Sequence, residues 1–412
     1  MESQIEPRPK VLVYYFPGYH QDTLQDGFHG DGWTEWELVD SARQRFPDHH
    51  QPRVPLAGRE DESDSLVMEK YIDLAANHGI DGFIFDYYWY EGKPFLNGAL
   101  DGGFLLSRNR EDLEFSLMWA NHDWVDVFPS KSPDVPLSGL TQILPGHTTR
   151  ESFEDFCRHV IEKYFSQPNY TLIDGRPRFS IYEVGNLVSS LGGLEQAIDA
   201  LTWFEVQVRK AGFPGIHLDI VAWSFNILPS KGKGFEPDQL NDFVRLLGVR
   251  SVSSYVWIHH VDLEDPTMAV AQWDDVASAA FEDYRILASS LSIPFHPNVT
   301  AGWDSTPRCD QSVSFELGSY PWFPAWSPGP AEFKQGLEYA REFCSQRTSP
   351  YQEVTINAWN EWTEGSYLLP DQRDGLGKLK AILDVFGPRL DHSRPANEAS
   401  SIRNDAGGHD LD

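Results

Sequence analysis

Eight strand-length runs rich in apolar, β-branched or aromatic residues recur along this chain, separated by segments of helical spacing, and that recurrence leaves few ways to fold. The first four are VLVYYF (Val11 to Phe16), GIDGFIFDYYW (Gly79 to Trp89), FSLMWAN (Phe115 to Asn121) and RFSIYEV (Arg178 to Val184). HLDIVAWSF (His217 to Phe225), VSSYVWIH (Val252 to His259), NVTAGWD (Asn298 to Asp304) and VTINAWNEW (Val354 to Trp362) follow. Between them, apolar residues recur at helix spacing over Ser65 to Asn77, Arg150 to Phe165, Leu194 to Lys210, Asp238 to Leu247, Ala269 to Leu287 and Ala331 to Phe343. A last helix is expected over Leu376 to Val385, stopped by Gly387-Pro388. Strand and helix repeated to eight is the arithmetic of a closed parallel (β/α)₈ barrel of the α/β class. A doubly wound open sheet competes, but it normally carries a Gly-rich phosphate turn after its first strand. Here that turn reads FPGYHQD, with neither GxGxxG nor GxxxxGK[ST]. The expected organisation is a short extension over residues 1–9, one barrel domain over 10–388 with long loops after strands one and three, and a polar, disordered tail over 389–412.

Charge and composition narrow the partners. A formal net charge of −29 repels phosphate backbones, which argues against nucleic acid and anionic membranes as partners. The three cysteines, Cys157, Cys309 and Cys344, are far apart, an odd count with no CxxC, so neither a disulfide framework nor a zinc site is expected. The opening MESQIEPRPK shows no apolar h-region, and no run approaches the roughly 20 apolar residues of a membrane span. A soluble, cytoplasmic protein is the expectation, with a leader removed earlier as the alternative. No cofactor or metal motif stands out. The 14 tryptophans offer flat apolar faces with a polar edge, suited to stacking on sugar rings or to an aromatic-rich core.

In a parallel barrel the active site lies at the C-terminal strand ends. Those ends share a composition. They carry Tyr15 and then His20; Asp86, Tyr88 and Trp89; Trp119, Asn121 and Trp124; Tyr182; Trp223 and Asn226. The last three supply His259; Trp303, Asp304 and Arg308; and Asn357, Trp359, Asn360 and Trp362. Stacking faces beside carboxylates and amides are what a sugar cleft requires. The sharpest piece is NAWNEWTEG, Asn357 to Gly365, in which Glu361 and Glu364 stand three apart. On a strand that spacing separates them, and on a helical turn it brings them to one face. Two carboxylates among Trp rings hold a proton unequally, and glycoside cleavage needs one acid and one carboxylate base. The alternative is a solvated loop, on which so much tryptophan would be wasted.

Other residues leave two readings open. GWTEW, with Trp33, Glu35 and Trp36, either closes over substrate or packs on the barrel rim. His49-His50 reads as a surface pair. His259-His260 with Asp262 lacks HxH or HExxH spacing, so hydroxyl binding or rim packing is favoured over a metal. Asp86 is a third site carboxylate or a structural acceptor. Arg308 holds an acidic sugar or pairs with an acidic neighbour.

YYFPGYH, GWTEW, GIDGF with its aromatic cluster, WANHDW, WDSTPR and NAWNEWTEG-x-x-LLPD occur in that order between about residues 10 and 385. Together they resemble the WbsX-like proteins, described as glycosyltransferases or as glycoside hydrolase family 99-like. The resemblance implies a (β/α)₈ barrel and, through family 99, a retaining hydrolase acting on α-mannosides within a chain. It implies that Glu361 takes a proton from the sugar 2-hydroxyl, which attacks the anomeric carbon to give a 1,2-anhydro sugar, and that Glu364 protonates the leaving group. The chain departs from the pattern at His122 and Leu369, where many members carry Glu, and at Ser305, where Asn is usual; specificity is expected to differ accordingly. A glycosyltransferase would need a sugar-nucleotide site, and no DxD motif or basic phosphate cradle is visible. A non-catalytic glycan-binding barrel is the third reading. The expected partner is an oligo- or polysaccharide.

Overall fold

The computed structural model describes residues 8–389 apart from 224–236, 262–268, 348 and 350. Asn226 and Asp262, the end of the fifth expected strand, residues 1–7 of the extension and the tail from residue 390 lie outside the described residues. Eight staves run in chain order: β1 (Lys10–Tyr15), β2 (Gly82–Tyr90), β3 (Glu114–Trp119), β4 (Arg176–Ile181), β5 (His217–Val221), β6 (Ser251–Ser253), β7 (Phe295–His296 and Asn298–Thr300) and β8 (Glu353–Asn357). Each pairs in parallel with its sequence neighbours, and β1 pairs with β8. The ring closes through β7, which is broken at Pro297. Its first half pairs with β6 and its second with β8. Proline offers no N–H to a ladder, so the switch of partners falls at the residue that cannot donate.

The helices on the outside are α1 (Ser65–Asn77), α2 (Arg150–Val160), α3 (Leu194–Lys210), α4 (Pro237–Leu246), α5 (Trp273–Ser290), α6 (Pro330–Ser345) and α7 (Gly377–Phe386). Side-chain caps mark two starts: Asp64 accepts from Leu66 N at 2.8 Å, and Thr149 accepts from Ser152 N at 3.2 Å. The crossover from β2 to β3 has no such helix. Short turns over Ala99–Gly103, Phe104–Leu106 and Arg110–Asp112 cover the barrel there. Arg8, at the end of the extension, pairs with Asp81 at 2.6 Å and donates to Phe386 O at 2.9 Å, tying the chain start to α7. No helix among the described residues is long and apolar enough to cross a membrane.

The barrel interior is not uniformly apolar. Residues alternate along the staves, and on β4, β5, β6 and β8 the polar set points to the axis. Arg178 of β4 reaches across to Glu353 of β8, while Asp219 of β5 accepts from Ser180, Ser251 and Ser253. All are buried. The apolar set, such as Phe179 and Phe115, faces outward to rings including Phe204 on α3 and Phe104. A period of two therefore sorts an ionic axis from an apolar jacket. The ladders are also shorter than the runs. β6 stops at Ser253, and Trp257–His260 forms a 3₁₀ turn; β8 stops at Asn357. Beyond those points the chain leaves the sheet to build the mouth.

Candidate active site

After β8 the chain makes a short hairpin, Asn360–Glu361 against Ser366–Tyr367, with a 3₁₀ turn over Trp362–Glu364 at its tip. Glu361 stands at the N-cap of that turn and Glu364 at its last position, and the reversal of the chain brings both carboxylates to Arg308. Both are more than nine-tenths buried. Gly365 ends the turn at φ 67°, in the left-handed region. A Cβ there would lie 2.8 Å from the Arg53 guanidinium and 2.8 Å from Asp304 Cβ. Gly365→Ala is expected to destabilise the fold by about 2 kcal/mol or more, from αL strain plus overpacking, read as a lower urea midpoint.

Both glutamates meet one cation. Arg308 Nη1 donates to Glu364 Oε1 at 2.6 Å, and its Nη2 lies 3.6 Å from Glu361 Oε1. The same Nη2 lies 3.2 Å from each oxygen of Glu35. The guanidinium lies over the rings of Phe16 and Phe128, 5.6 Å from each centroid. Tyr320 also donates to Glu364 Oε1. Burial, then repulsion from Glu364, pushes the Glu361 carboxyl well above the usual range, against the pull of Arg308. Burial also raises Glu35, with Arg308 opposing, and Asp86, whose Oδ2 accepts from Tyr255 at 2.9 Å.

The pair opens on a cavity of about 1230 Å³, larger than the sites of most drug-sized ligands. Asp86, Tyr88, Trp124, Tyr182, Trp223, His259, Trp303 and Arg308 stand in its wall with Glu361 and Glu364. Trp223 and His259 stack at 4.7 Å and 13°. Glu183, at the wall, is pushed up to about 7 by burial and by Asp123. No group of three or more His, Cys, Asp or Glu among the described residues could hold a metal ion.

The family model described as "Glycosyltransferase WbsX" matches residues 11–382. The chain belongs to the WbsX family. Two curated relatives, both called uncharacterized protein WxcX, come from Xanthomonas campestris pv. campestris. One, from strain B100, is 26% identical over 389 residues, covering 91% of this chain and 49% of the relative. The other, from strain ATCC 33913, is 27% identical over 388 residues, again with 91% and 49% covered. The chain thus spans about half the length of the curated relatives it matches. Among solved structures, a family 99 endo-α-mannosidase from Bacteroides thetaiotaomicron, in complex with BIS-TRIS-propane, superposes with TM-score 0.52 at 13% identity, covering 92% of this chain and 97% of that one. A glycoside hydrolase-like protein superposes with TM-score 0.56 at 12% identity, covering 93% and 95%. These likenesses show the barrel fold.

Several expected site residues of this WbsX-family chain sit behind the wall instead of in it. Tyr15, His20 and Asn360 gather on buried Glu62, at 2.9, 3.0 and 2.9 Å, and lock the loop after β1 to the β8 hairpin. Of the two readings for GWTEW, rim packing describes it: Trp36 packs on Tyr19 and Trp362, Trp33 on His29 and Phe128, and buried Glu35 holds Arg308. Trp362 also stacks on Tyr367 at 3.9 Å. Trp89 and Trp119 face Phe156 of α2, and Trp359 packs on Phe83. Asn121 clasps the Glu183 backbone through both N and O. Asn357 is buried at the end of β8. Asp304 accepts from His49, Gln51, Arg53 and Thr306, a structural knot that holds its carboxyl well below the usual range against the cost of burial. His49 is therefore buried, correcting the surface-pair reading. His260 bonds Asp283 at 2.8 Å, away from the cavity. Arg308 pairs with acidic neighbours and also stands in the cavity wall.

Sequence reasoning missed Tyr320 and Phe128. Both lie on long loops and contact Arg308 from 12 and 180 positions away. The aromatic and proline density of SYPWFPAW, Ser319 to Trp326, was the available signal for Tyr320. Phe128 had none beyond its loop.

Proposed function

We propose that this protein is a retaining glycoside hydrolase acting on an oligo- or polysaccharide, with Glu361 and Glu364 as its paired carboxylates. The observation that carries the reading is that Glu361, at the start of a 3₁₀ turn, and Glu364, at its end, meet one arginine in the wall of an aromatic-lined cavity. The raised proton affinity rests on Glu361 while the nearest guanidinium nitrogen rests on Glu364. That inequality is the division glycosidic cleavage needs. In the route the family 99 resemblance implies, one carboxyl gives its proton to the glycosidic oxygen as the C–O bond breaks. The other takes the proton of the 2-hydroxyl, whose oxygen closes on the anomeric carbon. Water then attacks the anomeric carbon and opens the 1,2-anhydro ring: the first carboxylate takes a proton from the water, and the other carboxyl returns its proton to O2.

The family's description as a glycosyltransferase supports a second reading, transfer from a sugar nucleotide. The cavity wall speaks against it. It carries Asp86, Asp123, Asp134, Glu183, Glu361 and Glu364, and its arginine is already held by three carboxylates. A diphosphate would meet net repulsion there. Digestion of a panel of polysaccharides, headed by α-mannans because of the mannosidase-like fold, is expected to release shorter products seen by chromatography. Calorimetry with nucleotide sugars is expected to show no binding. Nucleotide-sugar binding with an undigested panel would replace this reading with the second.

A further inference from the structure

One nitrogen of Arg308 has two claimants. Nη2 lies 3.2 Å from both oxygens of Glu35 and 3.6 Å from Oε1 of Glu361, while Nη1 is taken by Glu364 and Tyr320. Glu35 is fully buried and does not line the cavity. It also accepts from the hydroxyl of Thr363, which lies in the turn between Glu361 and Glu364. Glu35 therefore grips the cation and the turn at once, from a loop more than 300 positions away in sequence.

We propose that Glu35 is a positioning residue: by holding Nη2 and the Thr363 hydroxyl it keeps Arg308 from closing on Glu361, and so sets how the one cation is divided between the two glutamates. The catalytic consequence rests on the paired-carboxylate reading above; the charge partition does not. Glu361 is faced by Arg308 from the loop after β7, Glu364 from its own turn, and Asp86 and Tyr88 from β2. Tyr182 and Tyr255 face it from beyond β4 and β6. Apart from Arg308, the charged members of that set are carboxyls that disfavour ionisation of Glu361, as Glu35 does. Removing the Glu35 charge lowers the Glu361 proton affinity twice over, by deleting a repulsion and by releasing a cation toward it.

The test is a pH titration of the protonated-carboxyl infrared band of the whole protein without glycan, the band being assigned by its loss in Glu361→Gln. In Glu35→Gln, of matching shape, the midpoint is expected to fall by about one pH unit or more, the usual size for a neighbouring charge. Glu35→Asp, which keeps the charge but falls short of Nη2, is expected to lie between. It also serves if the glutamine variant does not fold. On any glycan the wild type cleaves, the matching limb of the kcat profile shifts to lower pH in the same order, with KM little changed. Midpoints equal to wild type in both variants, or raised, would overturn the proposal. Because the band is read without substrate, an inert glycan panel would sink the hydrolase reading and leave this one standing, and the reverse also holds.

Discussion

Glutamine at Glu361 or at Glu364 is expected to slow cleavage of any glycan the wild type digests by about 10³-fold, with KM changed far less, because positioned proton transfer contributes roughly 10² to 10⁴. Glutamine keeps the shape and hydrogen bonds of the side chain but can neither give nor take the proton. The same Glu361→Gln change is expected to raise stability at neutral pH. Burial and Glu364 lift the folded-state pKa of Glu361. The sign for a raised group is that its contribution is fully present below the unfolded value, about 4.3, and is lost as pH rises through the folded value. Glutamine does not titrate, so the variant gains on wild type as pH rises from about 4 through the folded value. An inactive protein that resists urea better at pH 8 than at pH 4, relative to wild type, is the joint signature. Full activity in both variants would end the catalytic assignment.

Leaving-group acidity then separates the two roles. An acid catalyst matters little when the departing phenol is itself acidic, whereas loss of the base is felt on every substrate. The roles implied by the family resemblance make Glu364 the acid, so Glu364→Gln is the variant expected to recover on an activated aryl glycoside. The charge pattern around Arg308 points the other way, and recovery of Glu361→Gln would place the acid there.

The strand count, the parallel order and the helix periodicity were legible because each depends on local spacing. The interior was legible too, had the period of two been followed through to the strand ends. Asp86 and Tyr88 line the cavity, while Tyr87 and Trp89 face His159 on α2. Met118 and Ala120 point in, and Trp119 between them points out. Gathering whole strand ends into one site mixed the two faces, and Trp89, Trp119 and Trp359 were the residues misplaced by it. Glu361 and Glu364 escaped that error because a turn, not a strand, sets their relation. The ring of carboxylates about Arg308 was not legible by any periodicity. Glu35, Arg308 and Glu364 come from three loops whose meeting depends on closure of the barrel.

At the opposite end of the axis, Arg178→Met is expected to cost about 3–5 kcal/mol, the usual penalty for orphaning one member of a buried ion pair. Arg178 and Glu353 are completely buried and joined twice, Nε to Oε2 at 3.0 Å and Nη2 to Oε1 at 2.6 Å. Tyr351 donates to Glu353 at 2.7 Å, and Arg178 Nη1 donates to Ser180 at 2.9 Å. Despite the cost of burial, the guanidinium beside Glu353 holds its carboxyl well below the usual range, whereas burial lifts Asp219 in spite of Arg178. For a depressed carboxylate the stabilisation is present above the unfolded value, about 4.3, and is lost as pH falls toward the folded one. Removing the arginine abolishes that depression, so the deficit of Arg178→Met is full at neutral pH and narrows below about pH 4. Urea midpoints across that range measure it. The double variant Arg178→Met/Glu353→Leu removes both charges and is expected to recover most of the loss, because an apolar pair of similar size can match a buried ion pair. A deficit independent of pH, or a double variant no better than the single, would mean that the axis is held by packing and not by charge. Because this network lies at the N-terminal strand ends, none of these changes is expected to alter KM for a glycan bound at the mouth.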